Sequence, residues 1–115
     1  MNKIAFYNIN NDNNDIQCNQ LMNHHKLKFK NRINQITNVI SQNRKSVVGV
    51  KLDSKVLYID FNILPDDKIQ TKILSTYKNP QSLINSSYIN EYDINEAVIT
   101  ENNGKIKLFN INRQR

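Results

Sequence analysis

IQCNQLMNHHKLKFKNRINQITNVISQNRKSVVGVKL, residues 16–52, decides both the fold and the charge of this chain. Cys18, Met22, His25, Phe29, Ile33, Ile36 and Ile40 follow one another at steps of four, three, four, four, three and four. That spacing places them on one stripe of an α-helix. It predicts a helix over 31–43, closed by Arg44 and Lys45, whose charges suit the negative end of the helix dipole. Over 15–30, with Asn14 or Asp15 as cap, the reading stays open. Lys26-Leu27-Lys28-Phe29-Lys30 also alternates like a strand, and two shorter helices broken near His24 fit as well.

The same stretch holds Lys26, Lys28, Lys30, Arg32, Arg44, Lys45 and Lys51 and not one Asp or Glu. The rest of the chain nearly balances, since residues 53–115 carry eight basic and eight acidic side chains. The formal charge of +6 therefore originates between Asp15 and Asp53. A charge asymmetry of this kind points to a polyanionic partner.

Downstream, Ser46–Asp53 and Lys55–Ile63 read as a hairpin turning at Asp53-Ser54. Val50 then faces Leu57, Val48 faces Ile59 and Ser46 faces Phe61. Lys51–Val56, Gly49–Tyr58 and Val47–Asp60 fall on the other side. Pro65-Asp66-Asp67 reads as the start of a second helix with Ile69, Ile73 and Tyr77 as its stripe and Leu74 widening it. Asn79-Pro80 ends it. Residues 81–95 read as a short helix and an irregular segment. Ala97–Asn102 and Lys105–Ile111 form a second hairpin on a type I′ turn at Asn103-Gly104. Upstream, Lys3–Ile9 reads as a strand and 10–15 as a loop or a helix cap.

The expected order is β-α-β-β-α-β-β, in one domain over 1–115. The fold class is α+β: a single, mostly antiparallel sheet of about five strands with two or three helices packed on one face.

The composition narrows the chemistry. The chain has 21 Asn, 16 Ile and 12 Lys, residues with AT-rich codons, which fits a low-GC bacterium, its phages or a mobile element. One cysteine, Cys18, forbids an internal disulfide and makes a reducing compartment the default. Lys3 leads into a polar run rather than an apolar signal region, and no stretch of about 18 apolar residues exists. The expectation is a cytoplasmic protein, in the host cytoplasm if phage-encoded, away from membranes. Gly49 and Gly104 are the only glycines, so neither a P-loop nor a dinucleotide fingerprint can be built. Cys18, His24 and His25 lack zinc spacing, and Asp66-Asp67 reads as a helix cap rather than a magnesium site. No metal, cofactor or catalytic residue is expected.

The candidate nucleic-acid or partner-binding residues are Lys26, Lys28, Lys30, Arg32, Arg44, Lys45 and Lys51, with Tyr58 available for stacking. They point to a small, basic, non-enzymatic binding module. Its partner would be nucleic acid or an acidic, nucleic-acid-handling protein. A phage or mobile-element accessory protein, such as an inhibitor of a host defence nuclease, fits that description. Two other classes compete. One is a small metal-independent, toxin-like ribonuclease using His24 or His25 as general acid or base. The other is an oligomeric structural subunit that pairs through the edge at 105–111.

Overall fold

The structure is a computed structural model. It describes residues 4, 7–12, 15–20, 22–23, 32–42, 45–65 and 68–112, and of 7–23 it describes the backbone pairing alone. Every regular element in it is a strand. In chain order these are β1 (Tyr7–Asp12), β2 (Asp15–Gln20), β3 (Met22–Asn23), β4 (Gln35–Gln42), β5 (Lys45–Lys51), β6 (Lys55–Ile63), β7 (Lys68–Lys78), β8 (Ile84–Ile89), β9 (Glu96–Glu101) and β10 (Ile106–Asn110). The α+β expectation is therefore overturned. The protein is all-β among its described residues, with a larger sheet ordered β3-β7-β6-β5-β4 and a smaller sheet ordered β10-β9-β8. Strands β4 to β7 form an antiparallel meander, and β3 adds a two-residue parallel pairing beside β7. Strands β1 and β2 pair with each other as a separate ribbon.

The β5–β6 hairpin has the expected register: Ser46 opposite Phe61, Val48 opposite Ile59, Val50 opposite Leu57, Gly49 opposite Tyr58. The Leu52 N–H closes it onto the Lys55 carbonyl at 2.8 Å around Asp53-Ser54. Both faces of this hairpin are covered. Val47, Val56 and Tyr58 join Ile84, Ile89, Ile94, Ala97, Ile99 and Ile111 in the core between the sheets. Val48, Val50 and Ile59 make a second cluster on the opposite face, against Ile4 and Ile33.

Each of the two expected helices is instead a strand that carries a β-bulge. In β4, Ile36 opposes Val50 and Val39 opposes Val48, so Thr37 and Asn38 together oppose Gly49. The extra residue turns the alternation of Ile36, Val39 and Ile40 into helix-like steps of three and one. Ile36 and Val39 lie on the outer face, half-exposed, and Ile40 packs against the inner core. In β7 the register slips at Leu74, since Tyr58 opposes Ser75 while Ile59 opposes Ile73. Ile73 stays on the outer face and Tyr77 crosses to the inner one, opposite Val56. Spacings of four from Ile69 to Ile73 to Tyr77 suit a helix and an unbulged strand equally. The β-branched and aromatic content of both segments was the better signal.

The bulge also fastens the sheets together. The Asn38 side-chain amide donates to the Ile89 carbonyl and accepts from the Ile89 N–H, each at 2.8 Å. It thus acts on β8 as a short length of strand would. Residues 81–95, expected as helix and irregular segment, contribute β8 and the turns that follow it. Strand β1, Tyr7–Asp12, takes in part of the expected loop, and the start of the strand expected from Lys3 lies outside the described residues.

In the smaller sheet the turn is one residue longer than the type I′ expectation. The Gly104 N–H bonds the Glu101 carbonyl at 3.0 Å, and the Glu101 N–H bonds the Lys105 carbonyl at 3.0 Å. Gly104 has φ of +83°. This is a three-residue loop whose last residue must be left-handed. Gly104→Ala should cost about 1–2 kcal/mol from that backbone strain alone, because no atom lies within 4 Å of a Cβ there. Gly104→Asn should cost less. Urea titration of both variants checks the order.

Candidate nucleic-acid interface

Of the expected binding residues, Lys26, Lys28, Lys30 and Arg44, and with them His24 and His25, lie outside the described residues. The structure places the other four apart. Arg32 is exposed and lies three residues before the start of β4. The Asn34 N–H bonds the Lys51 carbonyl at 2.9 Å, which puts Arg32 at the end of the larger sheet that carries the Asp53–Ser54 turn. Lys51 is at that end too but faces inward, opposite Val56, and is 7% exposed. Lys45 sits at the other end of β5, six residues and so about 20 Å away. Its ammonium reaches the Asn112 side-chain oxygen at 3.5 Å. Tyr58 lies inside the core. Its ring stacks on Phe109 with centroids 5.6 Å apart, and its hydroxyl shares a hydrogen bond with Ser87 at 2.7 Å. Burial pushes its pKa up to about 12, partly offset by the Ser87 bond. No base can stack on a ring that has no exposed surface.

The turn end of the larger sheet carries a cluster that the sequence reading missed. Lys55 and Lys78 are direct cross-strand partners in β6 and β7. Like charges placed opposite each other destabilise a sheet, because their Cβ atoms are about 5 Å apart. Among the described residues no ion pair engages either lysine. The nearest acid in sequence, Asp53, accepts a hydrogen bond from the Asn34 side-chain amide and forms no ion pair with either lysine among the described residues. With Arg32 at the same end, three cations come from three separate parts of the chain. Lys78 could have been paired with Lys55 only by reading 68–78 as a strand, and the helix reading hid it.

The other polar feature is a groove at the far end of the inner face, lined by Asp60, Asn62, Gln70, Thr71 and Lys72. It holds about 210 Å³ and is lined by polar side chains. Small-molecule sites are usually larger, roughly 300–1,000 Å³, and mostly apolar. Asp60 opposes Lys72 across the strands, so the groove carries both signs of charge. Nothing in it selects an anion.

Between the sheets lies the one carboxylate that is fully enclosed among the described side chains. Glu101 accepts a hydrogen bond from the Tyr77 hydroxyl at 2.7 Å and another from the Asn79 amide. The Lys107 ammonium is 3.2 Å from its other oxygen and 5.7 Å from the centre of the Tyr77 ring. The Tyr77 bond first, then Asn79 and Lys107, hold the Glu101 pKa below the usual glutamate value, against the opposing effect of burial. Burial, followed by the bond to Glu101, raises that of Tyr77. Contact with Tyr77 and then Glu101 raises that of Lys107. Every charge here has a partner within the chain, so the cluster is built to join β7, β9 and β10 rather than to meet a ligand.

Among the described residues no helix is long and apolar enough to cross a membrane. No protein-family model matches the chain, and neither a curated protein nor a solved structure is significantly similar to it.

Proposed function

We propose that this protein is a non-catalytic module that binds nucleic acid through its phosphate backbone, at the turn end of the larger sheet. The observation that carries the reading is the Lys55–Lys78 pair, two directly opposed cations that no carboxylate engages among the described residues. A polyanion relieves the repulsion that the bare sheet has to bear. Arg32 at the same end extends the cationic surface, and the net charge of +6 draws an anionic partner in at long range. The enclosed Tyr58 removes a stacking platform, so contact is to phosphate and indifferent to sequence. The AT-rich composition supports an accessory role in a phage or mobile element, acting in the cytoplasm. In that setting a cationic shield that covers nucleic acid against a host nuclease is one use of such a surface.

Fluorescence anisotropy with a labelled single-stranded oligonucleotide tests the reading. Binding should weaken steeply between about 50 and about 200 mM salt, as it does when phosphates are neutralised. Lys55→Glu with Lys78→Glu should lower affinity at least about tenfold. It should also flatten the logarithmic salt dependence by about 1.4, the share of two phosphates on a single strand. Absence of binding at low salt would remove the nucleic-acid reading and leave an acidic protein groove as the partner.

A further inference from the structure

Among the described residues, no strand pairs with the outer edge of the smaller sheet. Strand β10 is terminal in the order β10-β9-β8. The hydrogen bonds from the Glu101 N–H to the Lys105 carbonyl and from the Ile111 N–H to the Asn95 carbonyl fix its parity. Odd-numbered residues of β10 face β9, so the backbone N–H and C=O groups of Ile106 and Leu108 point away from the sheet. The side chains of these two residues also lie on the outer face and are 72% and 71% exposed. Val98 opposes Leu108 on that face, and Tyr88 opposes Val98 and is 52% exposed. An apolar row therefore runs across three strands to an open edge.

Strand β7, which β3 covers over only two residues, is different. A bulge at Leu74 and the lysines at 72 and 78 blunt it, as natural sheets blunt edges that must not pair. Strand β10 has no bulge and no proline. Its central lysine, Lys107, turns inward and is neutralised by Glu101.

We propose that β10 pairs antiparallel with β10 of a second copy of the chain, about a two-fold axis through Leu108, to give one six-stranded sheet. Charge selects this register. With the axis at Leu108, Lys107 meets the partner's Phe109 and Ile106 meets the partner's Asn110. With the axis at Lys107, two ammonium groups would stand directly opposite each other, which a sheet disfavours. The two apolar rows become continuous across the axis, and the interface is self-complementary as two-fold symmetry requires. A five-residue strand paired at its edge buries less than the 1,200 Å² or so of a standard interface, so the dimer is weak, with Kd on the order of 100 µM.

Sedimentation velocity of the full chain between about 10 µM and 1 mM reads the outcome, the range being set to bracket that affinity. The weight-average mass should rise from 13.5 kDa toward twice that value. The rise should be larger at high salt, because screening relieves repulsion between two cationic copies. Nucleic-acid binding has the opposite salt dependence, so failure of one proposal is distinguishable from failure of the other. Leu108→Lys, at a largely exposed site, should stay monomeric over the whole range. Leu108→Pro should as well, since proline removes an N–H that faces outward while the bonds to β9 remain. Circular dichroism confirms that both variants are folded. A monomer at all concentrations would overturn the proposal, as would a dimer that survives Leu108→Lys. Capture of an unrelated extended peptide on the Leu108 amide by a chain that never dimerises would also overturn it in favour of strand addition by another protein.

Discussion

Gly49→Ala should destabilise the domain by about 2–3 kcal/mol, an overpacking cost at the upper end of the usual range. Gly49 lies in the middle of β5, buried, with Thr37 of the β4 bulge on one side and Tyr58 of β6 on the other. A Cβ at this position would stand 2.8 Å from the Thr37 Cγ2 and Oγ1 atoms and 3.3 Å from Tyr58 Cε1. Neither neighbour is free to retreat. The Thr37 hydroxyl accepts a hydrogen bond from the Gly49 N–H at 2.7 Å, and the Tyr58 ring is held by Phe109 and Ser87. The glycine is required because the bulge brings a side chain to where the Cβ of a strand residue would be. Thr37→Ala in the Gly49→Ala background should recover part of the loss, since it vacates the contested space. Thr37→Ala alone should destabilise by about 1 kcal/mol by stranding the Gly49 N–H. Chemical denaturation of the four proteins in the cycle measures the coupling.

Glu101→Ala should be the second large loss, a fall in melting temperature of roughly 10 °C or more, the usual result of leaving buried partners unpaired. It leaves Lys107 without a counter-charge and the Asn79 amide and Tyr77 hydroxyl without their acceptor. The pH dependence has a definite sign. The folded-state pKa of Glu101 is depressed below the ordinary value of 4.5. Its contribution is therefore complete above pH about 4.5 and disappears as pH falls through the lower, folded-state value. Glu101→Gln retains an acceptor oxygen but loses the charge. It should be less stable than the native chain at pH 7, and the gap should narrow as pH falls below about 4.5 through the depressed folded-state value. Thermal melts of both proteins across that range check the narrowing.

The β5–β6 hairpin was legible to the residue, because its turn is two residues long and each strand keeps strict alternation. The second hairpin was legible in outline. Its facing was not, because the apolar residues Ile106 and Leu108 look like the core set while Phe109 and Ile111 take the inner positions. Phe109 decides the matter by packing against both Tyr58 and Tyr77, a long-range contact that no local pattern reveals. Strand β4 reads as a helix because its inserted residue breaks the period of two, and β7 because steps of four from Ile69 to Ile73 to Tyr77 suit both periods. Glu101 escaped notice although it continues the inward series Ala97, Ile99, Glu101, where an acid on an apolar face marks a buried charge. For the candidate interface, the local concentration of charge in 16–52 was visible. The meeting of Lys55, Lys78 and Arg32 depends on the antiparallel pairing of β6 with β7 and became visible only with it.

The central claim is that nucleic acid lands on the turn end of the larger sheet, and amide chemical-shift mapping with an oligonucleotide tests it most directly. Shifts should concentrate at Arg32, Lys55, Lys78 and the Asp53–Ser54 turn and should vanish as salt is raised. Shifts confined to the Lys45 end or to the Asp60–Lys72 groove, with the turn unmoved, would contradict it.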